Sequence, residues 1–229
     1  MTSASNRLIE LLPRKDKLRF TAACQNVDLT LAEVLCEPGK STQYVYFPTD
    51  GFISLIALVD GSPGVEVGMV GREGMLGVQL ALGVATAPLH ALVQGAGAAL
   101  RIGKRAFKTE LAASPALRNE LNRYLYVLMS QLAESAACVR FHQIGPRLAR
   151  WLLMSPDRSE TSSFDVTQEF LAYMLGVRRV GITAAAGLLQ RSGLIAYSRG
   201  KLTVLDRKGL ERAACGCYAA DQKTYAELL

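Results

Sequence analysis

Two adjacent arginines, Arg178 and Arg179, are followed closely by Gly181 and Thr183. A guanidinium is a planar fork of N–H donors that can grip a phosphate, or the O6/N7 edge of guanine, through two parallel bonds. Thr183 can meet a phosphate or a thymine methyl, and Gly181 can permit close approach. A helix start disfavours cations, so two arginines placed there call for an anion. Upstream, Thr167 and Gln168 offer polar groups suited to a phosphate. Downstream, Ser198, Arg199, Gly200 and Lys201 form a basic spot between two apolar runs. The expected partner is double-stranded DNA.

The elements that position these groups are legible nearby. Thr167 suits the N-cap of a first helix with an apolar face of Phe170, Leu171, Met174 and Leu175. Gly176 falls where that helix must stop and the chain must turn. A second helix is expected from near Arg178 to about Gln190, with Val180, Ile182, Ala185, Ala186, Leu188 and Leu189 inward. Two short helices around a glycine turn make a helix-turn-helix, whose second helix reads the major groove. Gly193 ends it, and the runs 194–197 and 202–205 flank the basic spot as a β-hairpin, the wing. The charge balance agrees. Residues 141–212 hold eleven Lys/Arg against six Asp/Glu, whereas residues 1–140 hold fourteen against twelve. Clustered cations are what phosphate neutralisation needs.

Upstream, the pattern predicts a lead helix over residues 4–26, with Leu8, Leu11, Leu12, Leu18 and Phe20 on its apolar side. Between 27 and 108 short β-rich runs are cut by turn residues, including Pro48-Thr49-Asp50-Gly51 and Asp60-Gly61. Val65, Val67 and Met69 alternate with Glu66 and Gly68, giving a strand with one buried face. Such spacing points to a β jelly roll. Ser114-Pro115 then opens a long helix of roughly 25 residues. Leu117, Leu121, Tyr124/Leu125, Leu128, Leu132, Ser135/Ala136 and Val139 recur along it at alternating steps of three and four, the stripe of a homodimer seam in which Leu117, Leu121, Leu125, Leu128, Leu132 and Val139 meet the partner. Gly145-Pro146 ends or kinks it, residues 147–154 form a short amphipathic helix, and residues 155–163 a loop. The expected units are a sensor-like domain with its lead helix (1–113), the dimerisation helix (114–144), the winged helix-turn-helix (145–212) and a C-terminal tail (213–229).

Composition narrows the function class. No apolar run reaches the ~20 residues of a membrane span, and the N-terminus lacks a signal-peptide pattern, so a cytoplasmic protein is expected. The five cysteines, Cys24, Cys36, Cys138, Cys215 and Cys217, show no disulfide framework. Cys215-Gly-Cys217 has no second pair or histidine close in sequence, so no metal is expected there. There is no HExxH, P-loop or dinucleotide fingerprint and no Ser-His-Asp order, so an enzyme is not expected.

The order of parts resembles the Crp/Fnr family of bacterial transcription regulators, over nearly the whole chain. The segments carrying the resemblance are Val45-Tyr46-Phe47-Pro48 with Gly51-Phe52-Ile53-Ser54, Glu66-Val67-Gly68, Gly71-Arg72-Glu73-Gly74-Met75-Leu76-Gly77, the stretch from Arg147 to Leu153, and Thr167-Gln168-Glu169-Phe170-Leu171-Ala172 with Leu175-Gly176-Val177-Arg178-Arg179. The resemblance implies an α+β fold: an N-terminal cyclic-nucleotide-binding-type β jelly roll, a long dimerisation helix and a C-terminal winged helix-turn-helix. It also implies a homodimer with parallel helices on a palindromic operator, half-sites about 34–36 Å apart, and RNA polymerase as a possible further partner. The family's recognition helix commonly starts with a Ser/Arg/Glu run. Here the positions read Arg178, Arg179 and Val180, so the family's usual operator does not carry over.

By the same resemblance, Gly71, Glu73, Gly74 and Thr86 are the candidate ligand residues. The family's cyclic-nucleotide members place an arginine on the phosphate, but here the matching stretch reads Ala85-Thr86-Ala87-Pro88. No Lys or Arg occurs from Glu73 to Leu100, and the base-facing positions are Leu132 and Ala133. Burying a phosphate without a cation costs several kcal/mol, so control by cyclic AMP is not expected. The iron–sulfur members' N-terminal cysteine cluster is absent, and His90 and His142 are the only histidines available to a haem. No cofactor is expected. A competing reading is a small-molecule-sensing module whose helix-turn-helix mediates protein interaction.

Overall fold

The computed structural model describes residues 5–60, 64–159 and 162–229. The lead segment is two helices, α1 (Arg7–Glu10) and α2 (Arg14–Ala22), because Pro13 interrupts the expected single one. Leu8, Leu12 and Phe20 are buried, but Leu11 and Leu18 are exposed, against expectation.

Strands β1 (Gln25–Leu29), β2 (Val34–Cys36), β3 (Tyr44–Ala57), β4 (Val65–Val70) and β5 (His90–Gly103) form one antiparallel sheet. Its order is β1-β5-β3-β4, with β2 also on β5. The expected turn at Pro48–Gly51 is instead a kink inside the long β3, marked by register shifts between Pro48 and Ile53. Gly51 adopts φ +72° there, and a Cβ on it would lie 2.3 Å from the Gly95 carbonyl oxygen. The Asp60-Gly61 turn falls partly outside the described residues. β4 is covered on both faces rather than one: the Gln131 side chain approaches Gly68 and accepts the Met69 N–H at 3.0 Å.

A short helix α3 (Lys104–Ala113) leads into α4 (Pro115–Phe141), where Ser114 accepts the Leu117 N–H at 3.1 Å and Pro115 takes the first helical position. Leu117 and Leu121, expected at the dimer seam, are 2 % and 0 % exposed in the protein's own core with Phe47 and Phe107. Leu125, Leu128 and Leu132 are half-buried, and Val139 is exposed. The solvent-facing apolar side runs through Tyr126, Met129 and Ala133, beside the expected positions, and through Ala136, which the expected stripe includes.

α4 ends at His142, earlier than the Gly145-Pro146 break. α5 (Ile144–Ser159) takes Pro146 into its first turn and continues through residues expected as a loop. It is longer than expected and buried along most of its length, its arginines included. Phe52, Ile56 and Met69 of the sheet and Leu148, Trp151 and Leu152 of α5 join Leu171, Ile182 and Leu202 in one core. The expected C-terminal tail is helical: α8 (Arg207–Ala213) precedes α9 (Cys217–Leu228), which lies along α4. Among the described residues no helix is long and apolar enough to cross a membrane.

Candidate nucleic-acid interface

α6 (Gln168–Leu175) starts where expected, with the Thr167 hydroxyl accepting the Phe170 N–H at 3.1 Å. It ends at Gly176, which turns with φ +62°. α5 secures this end: the buried Arg147 guanidinium donates to the Leu175 carbonyl, a cation at the negative end of a helix. α7 (Arg179–Arg191) follows at once, with Arg178 as its N-cap. Ile182, Ala185, Ala186 and Leu189 face inward as expected. Val180 and Leu188, expected inside, are 73 % and 58 % exposed. With Ala184 they line one outer strip, at spacings of four.

Arg178 and Arg179 are both exposed at the leading end of α7. The Arg179 guanidinium lies 3.8 Å from the Glu169 carboxylate, with both side chains mostly in solvent. Such a pair is worth about 1 kcal/mol or less, so an incoming phosphate or base can replace it. Thr183 donates to the Gln168 side-chain oxygen at 2.6 Å, bringing two expected contact residues together across the motif. Gly181 does something other than expected. A Cβ there would lie 2.6 Å from Ile144 Cδ1, so its bareness lets α7 approach α5 rather than a nucleic acid.

The wing is a hairpin of β7 (Ile195–Ser198) and β8 (Lys201–Val204), with β6 (Ser163–Asp165) on the other side of β8. Its two tip residues, Arg199 and Gly200, have φ +50° and +83°. Positive φ at both positions is the turn geometry that fits the twist of a two-residue hairpin. Ser198, Arg199 and Lys201 are exposed. Tyr197 was not singled out by sequence, yet its hydroxyl donates to the Val166 carbonyl at 2.7 Å. The Val166 N–H in turn donates to the Gly200 carbonyl at 2.7 Å. The wing is thereby pinned to the residue preceding the Thr167 cap. Burial pushes the Tyr197 pKa up, opposed by the positive charge of Arg179.

Three of the eleven cations counted in this region are spent internally. Arg147 caps α6, Arg150 pairs with Asp221 at 2.5 Å, and Arg158 pairs with Glu73 at 2.7 Å. The surface excess is carried by Arg178, Arg179, Arg191, Arg199, Lys201, Arg207, Lys208 and Arg212.

The candidate ligand residues are occupied by the chain itself. Besides Arg158, Glu73 accepts the Gly71 N–H at 3.1 Å. A Cβ on Gly71 would meet Arg158, and one on Gly74 would meet the Tyr124 ring. Thr86 is exposed and bridges to Ser41. A separate cavity of about 190 Å³ lies between the sheet and α4, lined by Leu55, Met75, Val78, Leu89, Leu128 and Leu132 among others. No cation is among its described lining residues.

Residues 146–213 match the family model of the Crp-like helix-turn-helix domain. No curated protein matches the sequence. Among solved structures, FixK2 from Bradyrhizobium japonicum is similar with a TM-score of 0.69 at 11% identity, covering 84% of this chain and 98% of that one. A CRP-family transcriptional regulator from Thermus thermophilus gives 0.67 at 20% identity, covering 82% and 96%. The c-di-GMP-responsive global regulator CLP from Xanthomonas campestris gives 0.66 at 18% identity, covering 85% and 100%. At these identities the likeness establishes the fold.

Proposed function

Since the chain carries a Crp-like helix-turn-helix on the fold of Crp/Fnr-type regulators, we propose that it is a sequence-specific DNA-binding transcription regulator. It works in the cytoplasm as a homodimer on a palindromic operator and has no catalytic role. One observation carries this reading: Arg178 and Arg179 stand exposed at the leading end of α7, beside a pinned wing whose tip presents Arg199 and Lys201. Arg178 and Arg179 read base edges and Thr183 supports them. Thr167, Gln168, Ser198, Arg199 and Lys201 hold the backbone. RNA polymerase is a natural further partner for a protein so placed.

The test is duplex binding by gel shift, with Arg179→Ala beside the parent chain. Losing the bidentate fork removes about 1–3 kcal/mol of discrimination, so preference for operator over random DNA should collapse. Unchanged preference would overturn the reading.

Self-association is supported by the solvent-facing stripe of Tyr126, Met129, Ala133 and Ala136 on α4. Control by cyclic AMP is disfavoured because Glu73 is engaged by Arg158 and the cavity beside α4 is apolar. An uncharged, largely apolar effector would suit that cavity better. The outer strip of Val180, Ala184 and Leu188 favours a second reading, in which α7 docks on a protein. Added salt separates the two, since counterion release makes DNA affinity fall steeply with ionic strength.

A further inference from the structure

Cys215 and Cys217 look like spare cysteines in sequence, because nothing that could share a ligand with them lies nearby. The fold reverses that. Cys138 and His142 lie four residues apart, at the end of α4 and its cap. α9 returns along α4 and brings Cys215 and Cys217 to them. The three sulfurs and an imidazole nitrogen all lie within 4.8 Å of one another. Cys138 Sγ is 3.5 Å from Cys215 Sγ, and Cys217 Sγ is 3.5 Å from His142 Nδ1.

Those spacings discriminate between explanations. A disulfide needs sulfurs about 2.05 Å apart. A tetrahedral ion with bonds of about 2.3 Å to sulfur and 2.0 Å to nitrogen sets its ligands roughly 3.5–3.8 Å from each other. The Cys138–Cys215 and Cys217–His142 pairs, both at 3.5 Å, fall at the lower edge of that range, and the remaining pairs lie within 4.8 Å. Buried thiols also occur as small apolar fillers, but a filler role does not account for an imidazole converging on the same point. The three cysteines are buried and His142 is exposed, so the edge of the cluster is open to solvent. Three thiolates around a divalent ion leave a net charge of −1. Arg147 lines the same cavity as Cys138, and its charge, set on the neutral Leu175 carbonyl, is available to balance it.

We propose that Cys138, His142, Cys215 and Cys217 form a closed, four-ligand site for a divalent, thiophilic, tetrahedral metal ion, zinc being the best fit. Four protein ligands leave no position for substrate, so the ion is structural. Loading exchanges three thiol protons for the ion, with no redox change. The site has a mechanical consequence. His142 is the break between α4 and α5, and the Cys215 N–H donates to the Pro146 carbonyl in the first turn of α5 at 3.3 Å. The ion would clamp the joint between α4 and α5 to the start of α9. The assignment stands independently of DNA binding.

The experiment measures metal content of the full-length chain, purified without chelator, by inductively coupled plasma mass spectrometry. One zinc per chain is expected, and none in Cys215→Ser/Cys217→Ser. Replacement by Co²⁺ should give the visible bands of a tetrahedral thiolate site. Because the double variant removes buried groups, His142→Ala serves as the folded control. It removes an exposed ligand and should weaken zinc binding more than about tenfold, with the circular dichroism spectrum kept. Zinc retained by both variants, or a native chain that takes up neither Zn²⁺ nor Co²⁺, would overturn the site. Cys24→Ser/Cys36→Ser should keep full zinc content, and loss of zinc there would overturn it too.

Discussion

Arg158 of α5 and Glu73 of the loop after β4 meet at 2.7 Å with side chains only 5 % and 9 % exposed. The pair joins the loop after β4 to the helix leading into the helix-turn-helix. Burial alone would push the Arg158 pKa down, but Glu73, with Tyr225, Asp157 and Asp221, carries it above its ordinary value. Glu73→Gln leaves that cation without its nearest countercharge. The expected loss is about 3 kcal/mol of unfolding free energy in urea. A loss below about 1 kcal/mol would mean that Asp157 and Asp221 already suffice.

Glu66 should make stability depend on pH. Burial pushes its carboxyl up to about 7, although the Ser54 hydroxyl, Arg158, Trp151 and Arg150 all favour ionisation. The unfolded chain releases this proton near 4.5. Between those two values the folded state holds a proton that the unfolded state has lost, so stability falls as pH rises through the window. The whole effect is at most on the order of 3 kcal/mol. Glu66→Gln should flatten that part of the profile and leave the variant more stable than the parent at pH 8. Parallel profiles for the two chains would show that Glu66 ionises normally.

Arg199 separates turn geometry from binding. Its φ of +50° suits asparagine better than arginine. Arg199→Asn should therefore keep or slightly raise the melting temperature. The same change removes a phosphate contact and should lower the slope of log K against log salt by about one. An unaltered slope would remove the wing tip from the interface.

Self-association should respond to the outer stripe of α4 and not to its inner one. Met129→Lys places charge at a side chain 66 % exposed in the single chain. Sedimentation should show monomers that stay folded. Leu121→Ala instead opens a cavity in the chain's own core, at a cost of roughly 2–5 kcal/mol, and the molecules that fold should still pair. Dimers persisting in Met129→Lys would move the seam elsewhere.

What sequence revealed was local. Ser114 and Thr167 cap their helices because a hydroxyl before a helix has one obvious partner, the free N–H two or three residues on. Gly176 was legible because few residues tolerate positive φ, and the Arg199-Gly200 tip because two apolar runs of equal length flank it. Leu117 and Leu121 could not be assigned from their spacing, because the same period serves whether they face a partner or, as here, their own core. The burial of α5 was hidden because Arg147 and Arg150 read as a wet face and Arg158 as part of a loop. Their carbonyl and carboxylate partners lie 28, 71 and 85 residues away. The cysteine cluster was hidden for the same reason, since 77 residues separate Cys138 from Cys215.

Gly176 also answers to two unrelated demands. Its backbone is left-handed, and a Cβ there would sit 3.1 Å from a methyl of Val65, where β4 begins. An asparagine could satisfy the first demand but would press on the second. Trimming Val65 would relieve the pressure without restoring the dihedral freedom. The position therefore sets both the bend of the helix-turn-helix and its stand-off from the first strand residue of β4, so the gauge of that gap is written into one missing methyl group.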